Sequence, residues 1–190
     1  MSELINFKIQ PKGSISQAFL TRAIFTFAEA TVFIQQLPYG RNTNKEDLLS
    51  FFDDCKGTCS TKHAVLKKVA IEQGFDELLL TMGIFKMNAI NTPLIAGTLT
   101  QYDLPYIPEA HMYLQYKGQR LDFTRINSSA SDFQADLLEE CEIEPDEITQ
   151  VKLGKHREFI VQWLLENPHI PYTAAEIWEI RERCIQDLSV

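Results

Sequence analysis

The sequence predicts an α+β fold, and three observations carry that prediction. Apolar residues recur at three and four over both ends of the chain, which is helical spacing. The middle holds short apolar runs of strand length, Leu78 to Met87 and the pair flanking Lys117-Gly118. Before them lies one sharply delimited helix that opens at Thr58-Cys59 and stops at Gly74. Helices, then a small antiparallel sheet, then more helices is an α+β order.

Taken in order, residues 4–9 alternate loosely through Leu4, Ile5, Phe7 and Ile9 and read as an edge strand before the Pro11-Lys12-Gly13 break. Ser14 or Ser16 caps the next helix, whose stripe of Phe19, Leu20, Ala23, Ile24, Phe27, Ala30, Phe33, Ile34 and Leu37 makes it the longest expected in the chain. Gln17, Thr21, Arg22, Glu29, Gln35 and Gln36 interrupt that stripe, so it reads as a buried helix and not a membrane span. Pro38 to Asn42 is a loop, and Asn44 opens a short helix through Leu48, Leu49, Phe51 and Phe52.

In the helix after Gly57, Thr58 or Ser60 serves as cap, and Val65, Leu66, Val69 and Ala70 form a one-sided apolar stripe. Gly57 lets the chain turn sharply before it, and Gly74 stops it. Leu78 to Met87 is a strand buried on both faces. The three prolines of Asn91 to Pro108 make that stretch mostly loop. Ala110 to Tyr116 and Gln119 to Thr124 form a β-hairpin about Lys117-Gly118, which would bring His111 and Asp122 close together. Ser131-Asp132 caps a short helix through Phe133, Leu137 and Leu138. Longer helices follow over Val151 to Asn167 and Thr173 to Leu188.

At 190 residues, 45% hydrophobic and 23% charged, the chain reads as one globular domain over 1–190. A formal charge of −8 with no basic face argues against a nucleic-acid partner. Met1 to Phe7 has neither a basic segment nor a long apolar run, so a cytoplasmic protein without a membrane partner is expected. Cys55, Cys59, Cys141 and Cys184 are scattered and read as reduced thiols.

The chemistry concentrates at Cys59. The first N–H groups of a helix lack intrahelical partners and its N-terminal end carries partial positive charge, which biases a thiol there toward thiolate and offers donors to an oxyanion. With His111 as base and Asp122 to orient it, Cys59 completes the set that a thiol hydrolase or acyltransferase needs.

Gly57-x-Cys59 followed by an Ala- and Val-rich helix, His111 opening an apolar strand with Tyr113 two positions on, and Asp122-Phe123-Thr124 together resemble the transglutaminase-like branch of the papain-like superfamily. That family has proline where this chain has Phe123, and a bulky residue before the aspartate where this chain has Arg120-Leu121. The resemblance implies a nucleophile helix packed on a small antiparallel sheet. It also implies a core over about 44–125 with a helical extension over about 131–190, and no cofactor. By carry-over Cys59 is the nucleophile, His111 the base and Asp122 the orienting acid, and the substrate is a peptide or small amide attacked through a thioester. A second oxyanion donor is expected from Gln35, Gln36 or Tyr39. Arg41 and Arg120 are available to a substrate carboxylate.

His63 lies one turn after Cys59 on the same face, where it is a second base or a substrate contact beside the thiol, or else a histidine packed under the sheet or exposed beside Lys62. Cys55, Cys59 and His63 recur every four residues, yet the set lacks the Cys-x-x-Cys spacing of a zinc site, so no metal is expected. The competing function is a non-catalytic binding module that retains the fold.

Overall fold

In the computed structural model, which describes residues 5–188, seven α-helices and a four-stranded antiparallel sheet build an α+β fold. The chain forms two compact units: one from the chain up to Met82 with 112–130 and 141–149, the other from 83–111, 131–140 and 150 onward. No helix among the described residues is long and apolar enough to cross a membrane.

The first unit is built around a helix with almost no exposed face. Helices α1 (Ser14–Leu20), α2 (Phe27–Gln36) and α3 (Ser50–Asp54) and a 3-10 turn at Pro145–Glu147 all pack on α4 (Cys59–Gln73). The one-sided stripe expected of α4 is therefore corrected, since every position except Lys68, Ile71 and Glu72 is buried. Apolar periodicity understates such a helix because its polar residues are buried with specific partners. Gln73, for example, donates to the Gln10 carbonyl at 2.9 Å and accepts from its N–H at 3.1 Å.

The single long helix expected over Phe19 to Leu37 is two helices. Ala23 takes a left-handed φ of 58° after α1, and Thr26 starts α2 with a capping box. Its hydroxyl accepts from Glu29 N–H at 3.3 Å, and the Glu29 carboxylate accepts from Thr26 N–H at 2.9 Å. The break lets 25–27 run beside 7–9, with Ile9 N–H donating to Phe25 O at 2.8 Å and Phe27 N–H to Phe7 O at 2.9 Å. The edge strand expected at 4–9 is thus an isolated bridge, Lys8 to Thr26, outside the sheet; Leu4 lies outside the described residues. Gly13, and neither Ser14 nor Ser16, precedes α1 as its cap, because Ser16 turns inward to bond Glu72. The helix expected from Asn44 is reduced to α3, since Asn44 and Asp47 bond their own backbone two residues on.

The sheet runs β3-β2-β1-β4, with β1 at Leu79–Met87, β2 at Ile107–Tyr116, β3 at Gln119–Leu121 and β4 at Leu137–Glu142. A hairpin forms about Lys117-Gly118, but its second strand stops at Leu121 and does not reach the expected Thr124. Tyr116 pairs Gln119 and Leu114 pairs Leu121, and both loop residues have positive φ, 47° at Lys117 and 76° at Gly118, a twist that suits antiparallel strands. The helix expected after Ser131 is instead two 3-10 turns leading into β4. Leu137-Leu138-Glu139-Glu140-Cys141-Glu142 lacks strict alternation because it is an edge strand, and edges tolerate charge. The presumed loop of 91–108 likewise contains a 3-10 turn, α5 (Ala96–Gln101) and the start of β2.

In the second unit, α6 (Gln150–Glu166) and α7 (Ala174–Asp187) follow the helices expected there, α7 capped by Thr173 and Glu176. Glu109 of β2 is buried against α7, where Arg181 donates to both its oxygens at 2.6 Å. Burial by itself would raise the Glu109 pKa, but the Arg181 guanidinium outweighs it and holds the carboxyl at about 2. His156 of α6 donates from Nε2 to Pro108 O at 2.9 Å, and burial keeps its pKa low.

Candidate functional site at the start of helix α4

Thr58 is the N-cap of α4, extended at ψ 172°, and its N–H donates to Thr61 Oγ1 at 3.0 Å. Gly57 is required here for closeness and not for a left-handed turn. Its φ is not positive, and a Cβ on it would lie 2.6 Å from Phe51 Cε2 and 2.8 Å from Thr61 Oγ1. The loop after α2 pins Gly57 from the other side, with Gly57 N–H donating to Pro38 O at 3.1 Å and Gly40 N–H to Gly57 O at 3.2 Å. Cys59 thus begins α4 on a segment held on two sides, and it is buried.

Asp122 lies one residue past β3, and its carboxylate folds back on Thr124. Oδ1 accepts from Thr124 N–H at 2.8 Å and from its hydroxyl at 2.6 Å. Two side chains of the first turns of α4 then reach this segment. The Lys62 ammonium donates to Thr124 O at 2.8 Å and, at 2.6 Å, to Leu37 O at the end of α2. His63 accepts at Nε2 from Phe123 N–H at 2.8 Å. A backbone amide can only donate, so Nε2 is unprotonated and the ring proton sits on Nδ1, which donates to Cys59 O at 2.8 Å. Asp122 Oδ1 is 3.6 Å from the same Nε2, with both atoms acceptors in this tautomer.

His63 is therefore packed and not exposed beside Lys62. It is fully buried with both ring nitrogens bonded, and it ties the start of α4 to the Asp122-Phe123-Thr124 segment. Lys62 is the residue that sequence reasoning passed over. It is fully buried, and its only sequence signal was a lysine lodged between Thr61 and His63 on an apolar helix. Burial is the main influence lowering its pKa, to about 8; Arg125 lowers it too, while Asp122 and Cys59 pull it up.

The other expected residues are distributed as follows. His111 stands on β2 in the second unit, half-buried, its ring 4.9 Å from that of Phe133 and 6.2 Å from that of Phe85. Tyr39 bridges to Gly57 in parallel fashion, and the Arg125 guanidinium sits 4.9 Å over its ring. Gln35 donates to Arg125 O at 3.4 Å, whereas Gln36 is exposed beside Arg22, Val32 and Phe33. Of the three oxyanion candidates, Tyr39 is the one on the segment that pins Gly57. Cys55 ends α3 with a left-handed φ of 49°, so it does not share a helix with Cys59 and His63. Among the described residues no three His, Cys, Asp or Glu side chains gather as metal ligands.

Comparison with family models, curated proteins and solved structures finds no match. The local chemistry at the start of α4 is therefore the basis for reading the site.

Proposed function

We propose that the chain is a cysteine-dependent hydrolase or acyltransferase of transglutaminase-like type, cytoplasmic and cofactor-free, acting on amide or peptide bonds. Cys59 is the nucleophile, His111 the general base and Asp122 the acid that orients it. The Cys59 sulfur bonds to the acyl carbon, the C–N bond breaks, and the leaving amine takes the proton held by the imidazole. Water or a second amine then attacks the thioester and the thiol is regenerated. The observation that supports this most is the anchoring of the Asp122 segment to the opening turns of the cysteine helix through Lys62 and His63, which gives thiol and carboxylate one rigid support.

A binding module without catalysis is favoured by one observation, the burial of Cys59 at 7% exposure. One experiment separates the two. The protein is incubated with a library of peptide and acyl-amide substrates and Cys59 is followed by mass spectrometry. The enzyme reading expects an acyl adduct on Cys59 and turnover that falls by at least about a thousandfold in Cys59→Ala and His111→Ala. Turnover no different from Cys59→Ala, with no adduct, would sink it.

A further inference from the structure

Helices α6 and α7 each bury one stripe, His156, Ile160 and Trp163 on α6 and Ile177, Ile180 and Cys184 on α7. Beside those stripes the two helices leave an open groove of about 440 Å³, lined by Ile160, Val161, Ala174, Ala175 and Trp178. Arg157 from α6 and Glu179 from α7 complete its lining, and both are exposed. The two alanines at the start of α7 give the groove depth, since no large side chain rises from that turn.

Two features of this face point to what covers it. On α6, Val161 is 49% exposed and Leu165, one turn further on, is 71% exposed, so a free apolar side chain stands next to an apolar groove. Knob and hole lie side by side on one surface, an arrangement that a twofold axis makes self-complementary. The charges obey the same rule. The Arg157 guanidinium sits 4.9 Å over the Trp178 ring, and neither Arg157 nor Glu179 makes an ion pair among the described residues. A foreign partner would have to bring an acid for Arg157, a base for Glu179 and an apolar knob between them; a second copy of this chain carries all three.

We propose that the α6 and α7 face is a homodimer interface, in which Leu165 of one copy enters the groove of the other and Arg157 of one copy pairs with Glu179 of the other. Tryptophan and arginine at the centre of such a patch are the residues that anchor protein interfaces. The interface holds whether or not Cys59 is a nucleophile.

Sedimentation equilibrium of the full chain from about 1 µM to about 1 mM tests it. Wild type is expected to pass from monomer to dimer mass across that range, while Leu165→Glu and Val161→Glu stay monomeric with circular dichroism matching wild type. Arg157→Glu and Glu179→Arg should each weaken the dimer at least about tenfold, because the twofold axis turns two attractive contacts into two repulsive ones, and the double variant should recover most of the loss. Wild type that remains a monomer at the highest concentration would overturn the proposal and leave the groove to a different partner. A dimer that survives both glutamate variants would place the interface elsewhere and overturn it equally. Charge variants that weaken singly and do not recover together would refute the pairing of Arg157 with Glu179.

Discussion

The imidazole of His63 accepts a hydrogen bond from the backbone N–H of Phe123 at 2.8 Å, and this one contact determines which ring nitrogen carries the proton. The predicted state is a neutral Nδ1–H tautomer, observable in the nitrogen chemical shifts of the ring. An Nε2–H tautomer in the folded protein would contradict the assignment. His63→Ala should cost about 2 to 4 kcal/mol in denaturant unfolding, because it leaves Phe123 N–H without its imidazole acceptor and opens a cavity in a buried helix. If His63 were instead the catalytic base, the same variant would lose turnover at nearly unchanged stability.

Gly57→Ala should destabilise the protein by about 1 to 3 kcal/mol, since the new methyl would press on Phe51 and Thr61 and neither can move freely. Phe51 is fully buried, its ring 5.3 Å from that of Phe52. The effect is expected to reach Cys59 as well, appearing as altered alkylation kinetics in a variant that remains folded. Unfolding curves superimposable on wild type would show that the packing yields more easily than the distances indicate.

The Glu109–Arg181 pair predicts an acid-sensitive second unit. A carboxyl held at about 2, below its ordinary 4.5, contributes stability that is complete above pH 4.5 and lost as pH falls through about 2. The contribution is on the order of 3 kcal/mol. Arg181→Met should cost about 3 to 5 kcal/mol at pH 7 by stranding the buried carboxylate, and adding Glu109→Gln should return much of it. A single variant as stable as wild type at pH 7 would show that the pair is solvated and not sequestered.

Two glycines should respond to alanine with opposite signs. Gly118 closes the hairpin at φ 76°, and a Cβ added there would meet nothing within 4 Å, so Gly118→Ala should cost about 1 kcal/mol through backbone strain alone. Gly97 lies in α5 with open space around it and an ordinary φ, so Gly97→Ala should stabilise by about 0.5 to 1 kcal/mol. Thermal unfolding of the two variants beside wild type checks both signs.

Much of the backbone plan was legible because it is coded locally. Thr58 and Gly74 bound α4, Lys117-Gly118 turns the hairpin, and Thr173 with Glu176 starts α7, each by interactions within a few residues. The misreadings have physical causes of their own. Thr26 and Glu29 interrupt an unbroken apolar stripe because a capping box competes with helix continuation. Strand β4 carries an acidic sequence with no periodicity because it occupies a sheet edge.

The sequence by itself determined an α+β chain, a cysteine on the opening turn of a capped helix, and a hairpin with an aspartate at its far end. It could not tell which polar residues of that helix were surface and which were structure, because lysine and histidine look alike on either side of a helix until the packing is known. Tertiary structure decided this by enclosing α4 almost completely. Once water is excluded, a buried ammonium and a buried imidazole must find acceptors and donors, and those within reach were Leu37, Thr124, Cys59 and Phe123. His63 thereby became a tie between two segments, and Lys62 became a second tie, joining α4 to Leu37 and Thr124.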